Sequence, residues 1–314
     1  MFIGIDIGGT NTKVGIVSKL GRVVAFSSFK SNMPRDVKDF VDDIVYNVNQ
    51  MLKNEKIELD AIEGIGIGVP GVVNEKNIIV ASVNMGWFDL DIASLLKQYY
   101  NKPIYVGNDA NCAMLAEWKF GGAKGANNAI LITLGTGIGS GIILDGKLFL
   151  GSHGMGGECG HMVIKHGGIP CNCGNRGCWE QYASAKALAR RTQEVAKENP
   201  DSIMNDIIAK YKKPSGHTCF EGAKKGDKVA KQLVDEYIDY IVCGLINLTQ
   251  IFHPEVFIIG GGVAKEGPGF IKMIDTKLNE FITKNNFEPK VAVKHPVLEN
   301  NAGVVGAACL AMDR

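Results

Sequence analysis

Asp6-Ile7-Gly8-Gly9-Thr10-Asn11-Thr12-Lys13 lies between two short apolar runs, Phe2-Ile3-Gly4-Ile5 and Val14-Gly15-Ile16-Val17, each of which reads as a strand. Paired glycines permit a tight turn in which backbone N–H groups come close to an anion. The hydroxyls and amide of Thr10, Asn11 and Thr12 add donors, and Lys13 adds a cation. Asp6, at the strand end, can hold a hydrated divalent cation. Gly8, Gly9, Thr10, Asn11, Thr12 and Lys13 are therefore expected to bind the phosphates of a nucleoside triphosphate on a hairpin rather than at a helix N-terminus. Standing alone, the stretch reads better as an Asp-Gly-Gly hairpin turn and nothing more; its recurrence downstream tips the balance.

The same logic recurs downstream. Ala129-Ile130-Leu131-Ile132-Thr133-Leu134 reads as a strand, Gly135-Thr136-Gly137-Ile138-Gly139-Ser140-Gly141 as a glycine-rich turn, and 142–144 as a returning strand. Gly135, Thr136 and Gly137 become a second phosphate-binding set. Two such units in one chain predict two related α/β domains, each lending a hairpin to one cleft. The chain carries no Gly-Lys-Ser or Gly-Lys-Thr phosphate loop. Gly260-Gly261-Gly262 follows the strand-like 256–259, but its spacing is not that of a dinucleotide fingerprint.

Helical periodicity is expected over 36–52, 112–120, 180–197, 202–211, 228–252, 270–283 and 301–312, and further strands over 62–69, 103–107 and 290–294. No low-complexity linker separates the domains. Their boundaries are expected at helical crossovers, giving 1–118 plus 297–314 as a smaller domain and 119–296 as a larger one.

Composition narrows the function classes. Hydrophobic residues make up 46% and charged residues 21% of 314 positions, as in a soluble globular protein, and the formal charge of +1 gives no electrostatic reason for nucleic acid or a membrane as partner. The chain enters its first strand without a secretory leader, and its apolar runs are too short to span a bilayer, so a cytoplasmic location is expected. Eight cysteines do not spread like a disulfide framework. Cys171, Cys173 and Cys178 crowd into Cys-Asn-Cys-Gly-Asn-Arg-Gly-Cys, and with His161 they offer the donor set of a closed, structural zinc site. His166 or Cys159 could replace the fourth ligand on spacing alone.

Beside that loop stand Glu158 and Glu180. Carboxylates there can accept paired hydrogen bonds from vicinal hydroxyls. Asn108-Asp109 supplies another acid where a helix begins, and a helix N-cap is the other work Asp109 could do.

Ordered as acidic hairpin, Thr-Gly hairpin and strand with triple glycine, the nucleotide motifs resemble those of the sugar kinase, heat-shock ATPase and actin superfamily. That resemblance implies two ribonuclease-H-like (actin-like ATPase) domains flanking a nucleotide and sugar cleft. It implies that Asp6 helps hold Mg2+, that Gly9, Thr10 and Thr136 line the phosphates of ATP, and that Gly261 and Gly262 lie against the adenosine. Asn108-Asp109, Leu-Gly-Thr-Gly-Ile-Gly at 134–139, Glu-x-Gly-His at 158–161 and the cysteine loop running to Ser184 resemble the ROK family of bacterial sugar kinases and regulators. The resemblance covers essentially the whole chain. By it, Asp109 is the general base, and Gly71, Asn84, Asn108, Glu158, His161 and Glu180 bind the sugar, His161 also ligating zinc. It further implies a homodimer formed through the larger domain. A regulator of the family would carry a helix-turn-helix module ahead of this part, which the start of the chain at the hairpin speaks against. Val83-Asn84-Met85-Gly86-Trp87 is similar to the corresponding stretch of glucokinases. Val72 stands where relatives acting on N-acetylmannosamine can carry arginine. Glucose is thus the expected sugar, with N-acetylmannosamine, fructose and allose as alternatives.

Overall fold

The computed structural model describes residues 1–312. Its described residues divide into two compact units, 1–127 with 141–157 and 296–312, and 128–140 with 158–295. The first unit thus extends beyond the crossover at 118 that the sequence suggested. Segment 141–157 joins it because Gly154 lies against the backbone of Val73 and Asn74.

In the first unit, β1 (Phe2–Ile7), β2 (Asn11–Val17) and β3 (Val23–Lys30) form an antiparallel meander. After α1 (Val37–Asn54) comes β4 (Gly64–Val69), then β5 (Val72–Val73), β6 (Ile79–Ser82), β7 (Trp87–Leu90), α2 (Ile92–Lys97), β8 (Ile104–Asn108) and α3 (Asp109–Phe120). The main sheet has the order β3-β2-β1-β4-β8, with β1, β4 and β8 parallel. The small antiparallel sheet β5-β6-β7 was not legible in the sequence, its strands being too short to show a period.

The remaining elements are β9 (Ala129–Leu134), β10 (Ile138–Leu144), β11 (Lys147–Leu148), α4 (Glu180–Ala183), α5 (Ala185–Glu198), α6 (Met204–Tyr211), α7 (Gly216–Lys224), α8 (Lys228–Phe252), β12 (Val256–Gly260), α9 (Pro268–Lys284), β13 (Ala292–Lys294) and α10 (Ala302–Met312). The second sheet runs β11-β10-β9-β12-β13. Numbered within each sheet, both orders are 3-2-1-4-5, so the duplication seen in the two glycine turns is a duplication of topology. The expected helix over 180–197 is two helices, because the Ser184 hydroxyl accepts the Ala187 N–H at 3.1 Å and restarts the chain as α5. The sequence reading missed α7, which a Ser215–Thr218 capping box begins.

Glycines in β1 and β4 let α10 lie almost on the sheet. A Cβ on Gly66 would overlap the Ala307 carbonyl oxygen, and one on Gly4 the Val304 carbonyl oxygen. Backbone cannot yield as a side-chain tip can. Gly66→Ala is therefore expected to destabilise the first unit by about 3 kcal/mol and lower its melting temperature by roughly 6–12 °C in calorimetry. Gly262→Ala, with φ near −62° and nothing within 4 Å of its Cβ position, should leave melting unchanged.

Candidate active site

The β1–β2 hairpin closes through Gly8 N–H donating to the Asn11 carbonyl at 3.1 Å. Gly9, Thr10 and Asn11 form its exposed tip, where an anion can meet their donors. Thr12 departs from the expectation that its hydroxyl faces phosphate. Its side chain is fully buried, and its Oγ1 lies 3.0 Å from Ser31 Oγ, which in turn donates to the Gly8 carbonyl at 2.5 Å. Thr12 and Ser31 brace the turn from behind. No sequence signal marked Ser31, because its partners come from another strand.

Asp6, the last residue but one of β1, is half-buried. Burial pushes its carboxyl above the ordinary range, and Lys13, 3.7 Å from Oδ2, opposes that shift. The carboxylate rests on the Cα of Gly303 in the first turn of α10, where any side chain would collide with it. Lys13 Nζ also reaches the Asn300 carbonyl at 3.3 Å, so the lysine ties the hairpin to the approach of α10.

The alternative reading of Asp109 as the helix N-cap is corrected by one residue. Asn108 is the cap: its Oδ1 accepts from Ala110 N at 2.9 Å and Asn111 N at 3.2 Å. Its Nδ2 donates to the Gly71 carbonyl at 2.9 Å. Asp109 is the first helical residue, its Oδ1 2.9 Å from Ala110 N. The Ser82 hydroxyl donates to the Pro70 carbonyl, and Gly71 at φ 140° leaves no room for a Cβ beside Ala81 and Ser82. Gly71, Asn108 and Asp109 are thus held together on one side of the unit, with Asn84 exposed on the turn just after Ser82.

In the second unit, Gly135 N–H donates to the Gly137 carbonyl at 3.0 Å, and the Gly135 carbonyl accepts from Ala185 N at 2.9 Å. Thr136 is the exposed tip. Gly261, at φ 88°, lies against the Leu134 backbone, so the glycine pair after β12 adjoins the start of this hairpin. A Cβ on Gly137 would come 2.5 Å from Glu180 Oε2. The Gly135–Gly137 turn and the Glu180 carboxylate are therefore neighbours, although 43 positions separate Gly137 from Glu180 in numbering.

His161, Cys171, Cys173 and Cys178 offer one donor atom each, all within 4.8 Å of one another. Neither His166 nor Cys159 belongs to the group. His161 Nδ1 is 3.6 Å from Cys171 Sγ, and the Cys173 and Cys178 sulfurs are 3.5 Å apart. Thiolates bound tetrahedrally at about 2.3 Å would sit about 3.8 Å apart, so the spacing fits one small ion. Burial and the Cys173 sulfur push Cys178 up to about 12, whereas the Asn175 backbone N–H lowers Cys173. Glu180 Oε1 lies 3.1 Å from Cys171 Sγ and 3.9 Å from His161 Nδ1. Glu158 stands immediately before the turn that carries His161, whose backbone N–H donates to the Glu158 carbonyl at 3.0 Å.

The sequence pattern of the ROK family matches residues 2–314. The chain belongs to the ROK family. Among its relatives in that family, the glucokinase of Halalkalibacterium halodurans is 36% identical, over 98% of this chain and 94% of that protein. The xylose repressor of Bacillus subtilis is 30% identical over 99% of this chain but 77% of its own length. A ROK family glucokinase from Streptomyces griseus, solved in complex with glucose and AMPPNP, superposes with a TM-score of 0.84 at 33% identity, covering 100% of this chain and 99% of that one. The ROK fold, with its actin-like ATPase domains, is thus the fold of this chain.

Proposed function

We propose that this chain is an ATP-dependent glucokinase that transfers the γ-phosphoryl group of ATP to the 6-hydroxyl of glucose. Its whole-length likeness to glucokinases carries this reading. The transfer forms the bond from O6 to Pγ, breaks the bond from Pγ to the β,γ-bridging oxygen, and moves the hydroxyl proton to Asp109. Asp109 sits in the first turn of α3, where the helix dipole favours its ionised form. That weakens it as a base. Phosphoryl transfer, however, passes through a loose transition state in which the attacking oxygen has bonded little and loses its proton late. Orienting the hydroxyl is thus the first task of Asp109, and accepting the proton the second.

Gly8, Gly9, Thr10, Asn11 and Lys13 on one hairpin, and Gly135, Thr136 and Gly137 on the other, would hold the phosphates, with Gly261 and Gly262 against the adenosine. Asp6 would hold the Mg2+ that accompanies ATP, whose charge offsets that of the β- and γ-phosphates when bound. One half-buried carboxylate suits an ion that keeps most of its waters. Gly71, Asn84 and Asn108, with Glu158, His161 and Glu180, would bind the sugar. Asn108 has a single N–H left for this, its carbonyl oxygen and its other N–H being committed to α3 and Gly71.

The ligand set His161, Cys171, Cys173 and Cys178 is proposed to bind structural Zn2+. All four positions of a tetrahedral ion are filled, so the metal would shape the loop and take no part in chemistry. None of the eight cysteines is joined in a disulfide, which fits a reducing cytoplasm. Among the described residues no helix is long and apolar enough to cross a membrane. The family resemblance implies a homodimer, which sedimentation would report as roughly twice the chain mass of 33.8 kDa.

ADP release measured across a hexose panel tests the substrate. Glucose is expected to exceed N-acetylmannosamine, fructose and allose in kcat/KM by more than about tenfold, or roughly 1.4 kcal/mol. A tenfold preference for another hexose would discard glucose and keep the kinase. Sugar binding without any turnover would instead favour a sugar-responsive regulator, the reading to which the likeness to the xylose repressor belongs.

A further inference from the structure

Glu117 is fully buried, yet no step above employs its carboxylate. It lies on α3 eight positions beyond Asp109, or about 12 Å along the helix axis. Its Oε2 accepts from Gly122 N–H at 2.8 Å and from Val297 N–H at 3.0 Å, and its Oε1 from Leu298 N–H at 2.8 Å. A buried acid is costly to place unless donors surround it. The backbone beside it is shaped to admit it, since a Cβ on Gly121 would overlap Glu117 Oε2.

The residues that Glu117 holds stand where the chain changes unit. It does so at four points, 127/128, 140/141, 157/158 and 295/296. Gly122 lies on the approach to the first, and Val297 and Leu298 follow directly on the fourth. Gly141, which follows the second, lies against α3 as well: a Cβ there would come 2.8 Å from the Ala110 carbonyl oxygen and 2.5 Å from Met114 Cβ. Three of the four crossings are therefore fastened, within the first unit, to the helix that begins with Asp109. The helix α10 is pressed onto it too, because a Cβ on Gly306 would overlap the Cys112 carbonyl oxygen. A helix is stiff along its axis, so a shift at Glu117 arrives at the first turn as a displacement of Asp109. A misplacement of about 1 Å at a reacting group can cost roughly a hundredfold in rate.

We propose that Glu117 is a positioning residue for the transfer: it pins two crossings of the chain to α3 and so fixes where the Asp109 carboxylate stands. The proposal rests on the reading of Asp109 as the group that orients the sugar hydroxyl. It is tested on the full chain by steady-state kinetics, with glucose and ATP each varied, below the melting temperature of every variant. Glu117→Gln keeps the shape but turns an NH2 group towards an N–H donor. Gly121→Ala keeps the carboxylate and displaces it, and it carries the same comparison should Glu117→Gln fail to fold. Each is expected to lower kcat about tenfold, with both KM values within about twofold of wild type. In an Asp109→Asn background neither should lower kcat by more than about a further twofold, because the group whose placement they disturb is gone. A merely structural role would instead give the same fold-loss in both backgrounds, and that result would overturn the proposal. So would an unchanged kcat in both Glu117→Gln and Gly121→Ala, while a large loss in Asp109→Asn alone would leave the reading of Asp109 standing. Near-normal kcat in Asp109→Asn itself would remove that reading, and the proposal with it.

Discussion

Asp109→Asn should lower turnover by roughly a hundred- to ten-thousand-fold, the scale of a lost general base, while the protein stays folded. The substitution keeps the side chain's shape but removes the charge that fixes the hydroxyl and the site that takes its proton. Because Asn108 makes the cap, stability should change by less than about 1 kcal/mol, the worth of a first-turn carboxylate at a helix N-terminus. Glucose affinity measured without ATP should weaken only modestly, since Asn can still hydrogen-bond a hydroxyl. The stability loss belongs instead to Asn108→Ala, which removes two N-cap bonds and the bond to Gly71. Turnover and melting temperature measured on both variants check this division of labour. Near-normal turnover in Asp109→Asn would remove the residue from the mechanism.

Metal analysis should find one zinc per chain, and Cys173→Ser should lower that occupancy and weaken glucose binding by about tenfold or more, as disturbing the support around a site usually does. Glu180 carries the coupling. Its Oε1 accepts from the Cys171 thiol at 3.1 Å. With zinc held by the Cys171 thiolate that proton would be absent, and Glu180 Oε1 would be free to accept from a sugar hydroxyl. The pH dependence follows in sign. Because burial and the Cys173 sulfur push the Cys178 thiol up to about 12, zinc binding must release protons, so zinc affinity should fall as pH falls. A protein fully active with no zinc detected would sink this part of the account.

What the sequence disclosed was local. The Asp6–Lys13 hairpin, the Gly135–Gly137 turn and the cysteine loop are contiguous in the chain, and each of their residue types has a narrow chemical use. Partnerships across the fold were hidden. Thr12 reads as a phosphate donor until Ser31, just past the neighbouring strand β3, occupies its hydroxyl. Asn108 and Asp109 are both good caps by composition, and only the backbone at the end of β8 decides that the amide caps and the acid begins the helix. The bare Cα of Gly137 is explained by Glu180, and that of Gly303 by Asp6, pairs that no spacing rule connects. Likewise α7 escaped notice because its apolar face is short and its tether, Glu266, lies 49 residues from His217.

The most direct test of the central claim is to follow purified protein, ATP, Mg2+ and glucose by phosphorus NMR. The γ-phosphate signal of ATP is expected to be replaced, one for one with ADP, by the signal of glucose 6-phosphate. ADP accompanied only by inorganic phosphate, or ATP left unconsumed beside bound glucose, would contradict it.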